Sequence, residues 1–171
     1  MRTASSADCL SHTYLHFQVT TTYNSIGRTV KYISDTPPYP TLVTISMTFP
    51  TTTKDILSIF QAALAANPVQ ANKKRVAVID GIISNPGIFL PWREMVKICK
   101  EQQVWSVIDG AHSIGQEPAL DLTAAAPDFW TSVYSHFPSF LLQSFTYRPL
   151  QNCHKWLSAK RSCAVLYVPL R

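Results

Sequence analysis

Apolar residues along this chain form blocks with two different spacings. Four blocks have the dense, β-branched character of strands, and they are 41–49 (TLVTISMTF), 75–82 (RVAVIDGI), 104–110 (VWSVIDG) and 161–169 (RSCAVLYVP). The second and third are continuous apolar runs, which are typical of strands buried on both faces of a parallel sheet. The pattern therefore predicts four strands, two of them fully buried.

Two blocks between these strands have helical spacing. Residues 51–68 begin with threonines that offer an N-cap, and their apolar positions recur at i, i+3, i+4 and i+7: Ile56, Ile59, Phe60 and Ala63. Residues 90–103 have a proline near the helix start and place four side chains on one face: Trp92, Met95, Val96 and Cys99. Strands alternating with helices indicate right-handed crossovers, so we expect an α/β fold with a parallel sheet.

Composition supports a single globular domain. The chain has 171 residues, of which 46% are hydrophobic and 15% charged, which does not fit a disordered protein. The net charge of +5 suggests nucleic acid, but the densest basic run is only Lys73, Lys74 and Arg75. Such a run is typical of a solvated loop ahead of a strand, so no nucleic-acid partner is expected.

Cysteine and hydropathy patterns indicate which metal sites, cellular compartment and membrane association to expect. The four cysteines form no CxxC pair and have no spacing to histidine that suits zinc, so we expect no metal site, and reduced thiols in the cytoplasm. The first residues, MRTASSADCLSHTY, lack the apolar stretch of a secretion signal. No run approaches the roughly 18 apolar residues that span a membrane, so no membrane partner is expected.

One carboxylate lies where a parallel sheet binds its ligands. Asp109 ends the apolar run 104–110, and ligands of such sheets collect beyond the carboxyl ends of the strands. A buried carboxylate needs a partner, which can be a metal, a ribose hydroxyl, an arginine or a protonated pyridine nitrogen. The stretch DGAHS can also cap a following helix, so Asp109 alone leaves its role open.

A lysine near the end of the chain favours one of these partners. Lys155 lies in NCHKWL between His154 and Trp156, and a desolvated lysine is a usable amine nucleophile toward a carbonyl. A lysine that forms a Schiff base, together with an aspartate that keeps a pyridine nitrogen protonated, is the pairing that pyridoxal phosphate requires. The predicted cofactor is therefore pyridoxal 5′-phosphate.

Longer motifs carry a resemblance to a known family. The chain contains SNPG followed by LPWREMVKICKE, then VWSVIDGAHSIGQ, DFW and NCHKWL. In these motifs it resembles class V aminotransferase-type enzymes, a group with cysteine desulfurases, isopenicillin N epimerase-like proteins and fungal C–S lyases, and it is most similar to the fungal epimerase-like branch. The resemblance implies a three-layer pyridoxal-phosphate transferase fold of the aspartate aminotransferase-like type (fold type I), with an incomplete large domain.

The resemblance also implies roles for individual residues. Lys155 matches the Schiff-base lysine and Asp109 the partner of the ring nitrogen. His112 lies where the family places a glutamine or histidine that hydrogen-bonds the phenolic oxygen of the cofactor. A hydrogen bond within the local turn is the alternative role for His112.

Three further residues are expected to bind the cofactor. His154 matches the histidine that helps to hold the phosphate, and Asn152 stands where many relatives have serine. For Asn152, hydrogen bonding within its own turn is again the alternative. Ser84 matches the start of a family loop near the cofactor.

The domain organisation follows from the same resemblance. Residues 20–171 match part of the large domain, whereas 1–19 match poorly. Residues 133–151 are an atypical insert, because relatives pass almost directly from the DF strand to the lysine turn. We interpret this insert as an unspliced intron translated in frame, with a lineage-specific surface loop as the alternative. No counterpart is expected for the upstream phosphate loop, the ring-stacking residue or the smaller C-terminal domain.

The sequence thus predicts part of a pyridoxal-phosphate-dependent enzyme that acts on an amino acid. Transamination, C–S bond cleavage and epimerisation are all compatible with the residues present. The complete protein is expected to be a cytoplasmic homodimer. The alternative is a catalytically inactive remnant or the product of an incorrect gene prediction.

Overall fold

The computed structural model describes residues 13–71, 73–132, 135–136, 155–156 and 165–169. In chain order, its elements are β1 (Thr13–Val19), α1 (Asn24–Ser34), β2 (Thr41–Ile45), α2 (Thr53–Ala65), β3 (Lys73–Asp80), β4 (Ile82–Ile83), β5 (Ile88–Phe89), α3 (Trp92–Glu101), β6 (Trp105–Asp109), α4 (Leu122–Ala125), β7 (Phe129–Ser132), β8 (Ser135–His136), β9 (Lys155–Trp156) and β10 (Val165–Tyr167). For β8 and β9 it describes the backbone alone.

Six strands form one sheet in the order β2-β1-β3-β6-β7-β10. Neighbouring strands from β2 to β7 are parallel, whereas β10 is antiparallel to β7. The predicted α/β fold with a parallel sheet is confirmed, with one strand of opposite direction at the edge. Two small sheets stand apart from it, one formed by β4 and β5 and the other by β8 and β9.

Strand β1 lies inside the sheet although it falls in the segment 1–19 that the sequence resemblance matched poorly. Its apolar residues alternate, and the side chains of Leu15, Phe17 and Val19 are buried. Alternation of this kind puts every second side chain on the same face of a sheet. Residues 13–19 are therefore an integral part of the sheet, between β2 and β3.

The two predicted helices form where their capping and apolar patterns require. The Thr52 hydroxyl accepts a hydrogen bond from the Asp55 amide (3.2 Å) and so caps α2. Helix α3 buries the four side chains expected of it. Helix α2 buries Ile56, Phe60 and Leu64, but Ile59 is 39% exposed. The apolar face that α2 packs into the core is therefore narrower than the one predicted from the sequence.

The helices cover both faces of the sheet. Helix α3 contacts both α2 and α4, which places these three helices on one face. The crossover from β1 through α1 to β2 runs in the opposite direction along the sheet, so its right-handedness places α1 on the other face. The result is the three-layer arrangement expected from the sequence.

A reversal of strand order positions the site. The chain passes from β1 outward to the edge strand β2 and then returns to the other side of β1 to form β3. Ligands of open α/β sheets bind in the crevice outside the carboxyl ends of the strands at such a switch point. In this protein the crevice lies beyond the ends of β1 and β3, next to the end of β6.

Candidate cofactor site at the carboxyl ends of the strands

The tetrapeptide VIDG occurs twice in the chain, at 78–81 and at 107–110. The parallel pairing of β3 with β6 places the two copies in register, so that Asp80 lies opposite Asp109. In-register residues of neighbouring parallel strands point to the same face of the sheet. Two carboxylates therefore stand side by side at the edge where the ligand is expected, and Asp80 was not among the residues predicted for the site.

Both carboxylates are buried, and burial changes the acidity of Asp80. The exposed fraction is 3% for Asp80 and 9% for Asp109. Burial raises the pKa of the Asp80 carboxyl to about 6, and the negative charge of Asp109 adds to the increase. The Thr22 hydroxyl and the Tyr23 amide lower this pKa. These two groups offset only part of the increase in the Asp80 pKa. Asp80 Oδ2 and Thr22 Oγ1 lack a partner of normal hydrogen-bond geometry among the described residues.

Stability should fall as the pH rises through the range in which Asp80 ionises. The folded pKa of about 6 exceeds the usual 3.8, so the folded state favours the protonated form. Its stabilising contribution is complete below about pH 4 and is lost as the pH rises to about 6. We expect this contribution to be roughly 3 kcal/mol in the free energy of unfolding.

Urea unfolding of the chain at several pH values measures this effect. In Asp80→Asn the fall in stability between about pH 4 and pH 6 should be smaller by the same amount. Asp35→Asn, which removes an exposed carboxylate paired with Lys31, is the matched control and should retain the fall. An unchanged pH dependence in Asp80→Asn would contradict the prediction.

Glycines after the two aspartates allow close packing at the strand ends. A Cβ atom on Gly81 would lie 2.7 Å from Ser113 Oγ, and one on Gly110 would lie 2.4 Å from the Trp130 ring. The Gly81 amide donates to the Asp109 carbonyl oxygen (2.8 Å), and the Gly110 amide donates to the Thr131 carbonyl oxygen (2.6 Å). A Cβ on Gly110 would collide with the bulky Trp130 ring, whereas one on Gly81 would require the Ser113 hydroxyl to rotate away.

Asp109 also holds the turn that follows it. Asp109 Oδ1 accepts a hydrogen bond from the Ala111 amide (2.9 Å). Residues 111–116 form a series of turns, and the next helix, α4, begins only at Leu122. The capping alternative is therefore wrong for a helix but holds for a local turn. His112 lies half-buried on this turn, three residues after Asp109.

Glu117 anchors the far end of the same turn to α3. Its side chain is buried and accepts a hydrogen bond from Trp92 Nε1 (2.7 Å). It also pairs with the Arg93 guanidinium. This carboxylate was not predicted from the sequence, where only its place at the end of DGAHSIGQE distinguishes it. It holds the turn that carries His112 against the first turn of α3.

Several buried polar atoms near the strand ends have no hydrogen-bond partner in the described part of the chain. They are Thr21 Oγ1, Thr22 Oγ1, Asp80 Oδ2, Ser113 Oγ and Trp130 Nε1. All five belong to segments at the carboxyl ends of the parallel strands or, for Trp130, pack against Gly110 there. Buried polar groups are usually satisfied, so these five of the nine such atoms among the described residues fit the binding of a polar ligand at the strand ends.

The other predicted site residues are placed less closely. Ser84 is exposed in the turn between β4 and β5, apart from the Asp109 turn. Asn152 and His154 lie outside the described residues. The backbone of Lys155 forms β9, paired with Ser135 of β8, and its side chain is not described. The insert 133–151 contributes Ser135–His136 to the described residues.

Within the described residues, no group of three or more histidine, cysteine or acidic side chains is arranged to hold a metal ion. Cys99 is a buried free thiol, and burial raises its pKa to about 12. No helix in this part of the chain combines the length and the apolar character needed to cross a membrane.

Sequence comparison identifies relatives that are much longer than this chain. L-cysteine desulfhydrase-like protein lolT1 of Epichloe uncinata is 31% identical over 153 residues, which is 90% of this chain and 29% of that protein. Hercynylcysteine sulfoxide lyase of Schizosaccharomyces pombe is 38% identical over 97 residues, which is 57% of this chain and 20% of that protein. The chain thus spans less than a third of these relatives. No protein-family model matches it.

Structure comparison identifies the fold. Serine palmitoyltransferase of Sphingomonas wittichii superimposes with a TM-score of 0.52 and 18% identity over 74% of this chain and 31% of that one. A NifS-like protein of Rickettsia africae gives a TM-score of 0.53 and 21% identity over 69% of this chain and 29% of that one. With its mostly parallel six-stranded sheet, the chain has the fold of the pyridoxal-phosphate-dependent transferases of the aspartate aminotransferase-like type, of which it contains a part.

Proposed function

We propose that the complete protein is a pyridoxal-phosphate-dependent enzyme of the class V aminotransferase type that cleaves a C–S bond in an amino acid. The observation that carries the proposal is the buried Asp109 carboxylate at the end of β6, beside the switch point of the sheet. The choice of C–S cleavage over transamination or epimerisation rests on the relatives, which are named as desulfhydrase-like proteins and a sulfoxide lyase.

The residues at the strand ends fit this cofactor. A protonated ring nitrogen supplies the positive charge that a buried carboxylate such as Asp109 requires. His112, on the turn that Asp109 holds, provides a hydrogen-bonding group for the phenolic oxygen. The hydroxyls of Thr21 and Ser113, which have no partner among the described residues, offer further polar contacts to a ligand in the crevice. The bound cofactor would withdraw electrons from the bonds at the substrate Cα.

The chain would supply the groups that hold the cofactor and move protons. The Lys155 amine would bind the cofactor aldehyde and, once released by substrate, carry a proton to or from the substrate Cα. Asp109 would keep the ring nitrogen protonated. His154 and Asn152 would hold the phosphate, and Ser84 would approach the cofactor from the loop after β4. These roles come from the sequence resemblance and from the positions of Asp109 and His112.

Covalent labelling tests the proposal. The complete protein, expressed with pyridoxal phosphate and reduced with borohydride, should carry the cofactor on Lys155, because reduction fixes a Schiff base as a stable amine. Peptide mass spectrometry locates the label. Lys97→Ala, which alters an exposed lysine of α3, should label like the native protein, whereas Lys155→Ala should not label. Recovery of the label on Lys97 or Lys160 would overturn the assignment.

The expected setting of the enzyme belongs to the same proposal. We expect a homodimer in the cytoplasm that takes a small amino-acid substrate. Nothing in the described residues favours the alternative of an inactive remnant, because Asp109 and His112 are both present on an intact strand and turn.

A further inference from the structure

We propose that Asp80 and Asp109 share one proton, and that the protonation state of Asp80 sets the negative charge that the pair presents to the cofactor's ring nitrogen. Asp80 is thus a positioning residue that acts through Asp109. The second half of this inference rests on the proposed function, whereas the shared proton does not.

The repeated tetrapeptide supplies the geometry. Val78, Ile79 and Asp80 pair in register with Val107, Ile108 and Asp109, and neighbouring strands of a sheet lie roughly 4.8 Å apart. Both aspartates are at least nine-tenths buried. Two carboxyl groups that share a buried site cannot both ionise readily, so one of them keeps a proton.

Among the described residues, the groups that act on Asp80 are uncharged or negatively charged, so none of them neutralises its carboxylate. From the loop between β1 and α1 come the Thr22 hydroxyl and the Tyr23 amide, which are uncharged, and from β6 comes the Asp109 charge. The Arg75 guanidinium, near the other end of β3, donates to the Leu64 and Asn67 carbonyl oxygens. The Arg93 guanidinium from α3 pairs with Glu117.

His112 is the remaining titratable group on the turn beside the pair, and it lies half-buried three residues after Asp109. The same turn brings the Ser113 hydroxyl against Gly81, the residue after Asp80. Asp109 is occupied on one side, where its Oδ1 accepts from the Ala111 amide. Asp80 Oδ2 has no partner among the described residues, which marks Asp80 as the member that takes up the proton.

With one shared proton, the charge of the pair can be neutralised by a single cation. With Asp80 neutral, the pair carries a single negative charge, which a protonated ring nitrogen neutralises. When Asp80 ionises, the second charge should help the ring nitrogen to keep its proton at higher pH. Asp80 would then influence the cofactor through the charge on the pair, with no need to touch it.

Carboxyl NMR of the chain labelled with ¹³C-aspartate tests the shared proton without any cofactor. The Asp80 resonance, assigned by its loss in Asp80→Asn, should titrate near pH 6, and in Asp109→Asn its midpoint should fall by about one unit. Asp35→Asn, an exposed control, should leave it unchanged. A native midpoint near 4, or one unmoved in Asp109→Asn, would overturn the inference.

In the native chain, the Asp109 resonance should also inflect near pH 6, which tests the coupling even where Asp109→Asn fails to fold. The absence of that inflection would equally overturn the inference.

The cofactor supplies the second readout, in the complete protein with ¹⁵N at the ring of pyridoxal phosphate. The ring nitrogen should lose its proton about one pH unit lower in Asp80→Asn than in the native protein. Loss at the same pH would overturn the positioning role. If borohydride fails to label Lys155 while the carboxyl titrations are coupled, the proposed function fails and the shared proton stands, so the two failures are distinguishable.

Discussion

Asp109→Asn in the complete protein is expected to lower kcat/KM for amino-acid substrates by about a hundredfold or more. The neutral amide no longer stabilises a protonated ring nitrogen, and each unit by which the ring pKa falls weakens the protonated form about tenfold. The amide oxygen can still accept from the Ala111 amide, so the turn that Asp109 holds should persist. The measurement is steady-state turnover with a sulfur-containing amino acid, with circular dichroism to establish that the fold is retained.

Asp128→Asn is the matched control for this substitution. Asp128 accepts hydrogen bonds from the Ser106 amide (2.9 Å) and hydroxyl (3.0 Å) near the start of β6, away from the strand end that carries Asp109. Both changes remove a hydrogen-bonded carboxylate near the same strand, but only Asp109 lies where the ring is expected. Asp128→Asn should therefore change stability more than turnover. Equal losses of turnover in both variants would show that Asp109 acts only as a structural residue.

Gly110→Ala is expected to destabilise the chain by about 3 kcal/mol, the upper end of the usual range for overpacking. The added Cβ would lie 2.4, 2.5 and 2.6 Å from three atoms of the Trp130 ring. That ring is fully buried and rigid, so the backbone of Asp109 and Gly110 must move instead. Denaturant unfolding with tryptophan fluorescence measures the change in the free energy of unfolding.

Gly27→Ala provides the opposite expectation in the same chain. Gly27 lies in α1, and a Cβ added there would approach nothing nearer than Gln18 Oε1 at 3.8 Å. Because alanine favours a helix interior over glycine, this change should stabilise the chain by up to about 1 kcal/mol. Equal effects of the two substitutions would mean that Trp130 yields readily and that Gly110 is not required by packing.

The sequence was sufficient for the elements whose apolar pattern is long. Strands β3 and β6 and helix α3 carry many buried apolar residues, and the sequence pattern predicted their positions nearly to their ends. The direction of β10 was beyond the sequence, because a three-residue strand pairs equally well either way and its direction depends on the path of the chain before it. The direction of β10 therefore depends on tertiary contacts and not on the local sequence pattern.

Two elements near the start of the chain were missed for different reasons. Helix α1 has a short apolar stripe of Ile26, Val30 and Ile33, of which only Val30 is buried, and this brief pattern was not recognised in the sequence. Strand β1 does have such a pattern, with Leu15, Phe17 and Val19 alternating with exposed or half-buried residues. Its polar neighbours, including His16, made the alternation easy to overlook.

At the site, the sequence identified one carboxylate of the pair and not the other. Asp109 was found because it begins the motif DGAH, whereas Asp80 lies in an identical VIDG that lacks this continuation. Only the register of β3 with β6 makes the two equivalent in position. The role of Glu117 likewise depends on contacts with Trp92 and Arg93 that are distant in sequence.

The reversed direction of β10 constrains where the lysine segment is tethered. Because Val165 pairs with Ser132 in antiparallel register, the segment 133–164 leaves β7 and enters β10 at the same edge of the sheet, which is the edge that carries Asp109. The segment that contains Lys155 is thus attached to the sheet at both of its ends on the cofactor side, whatever path the chain takes between them. Lengthening such a closed segment two- to threefold costs only roughly 1 kcal/mol in closure entropy. A chain that retains residues 133–151 can therefore return its lysine to the same edge of the sheet as one that lacks them.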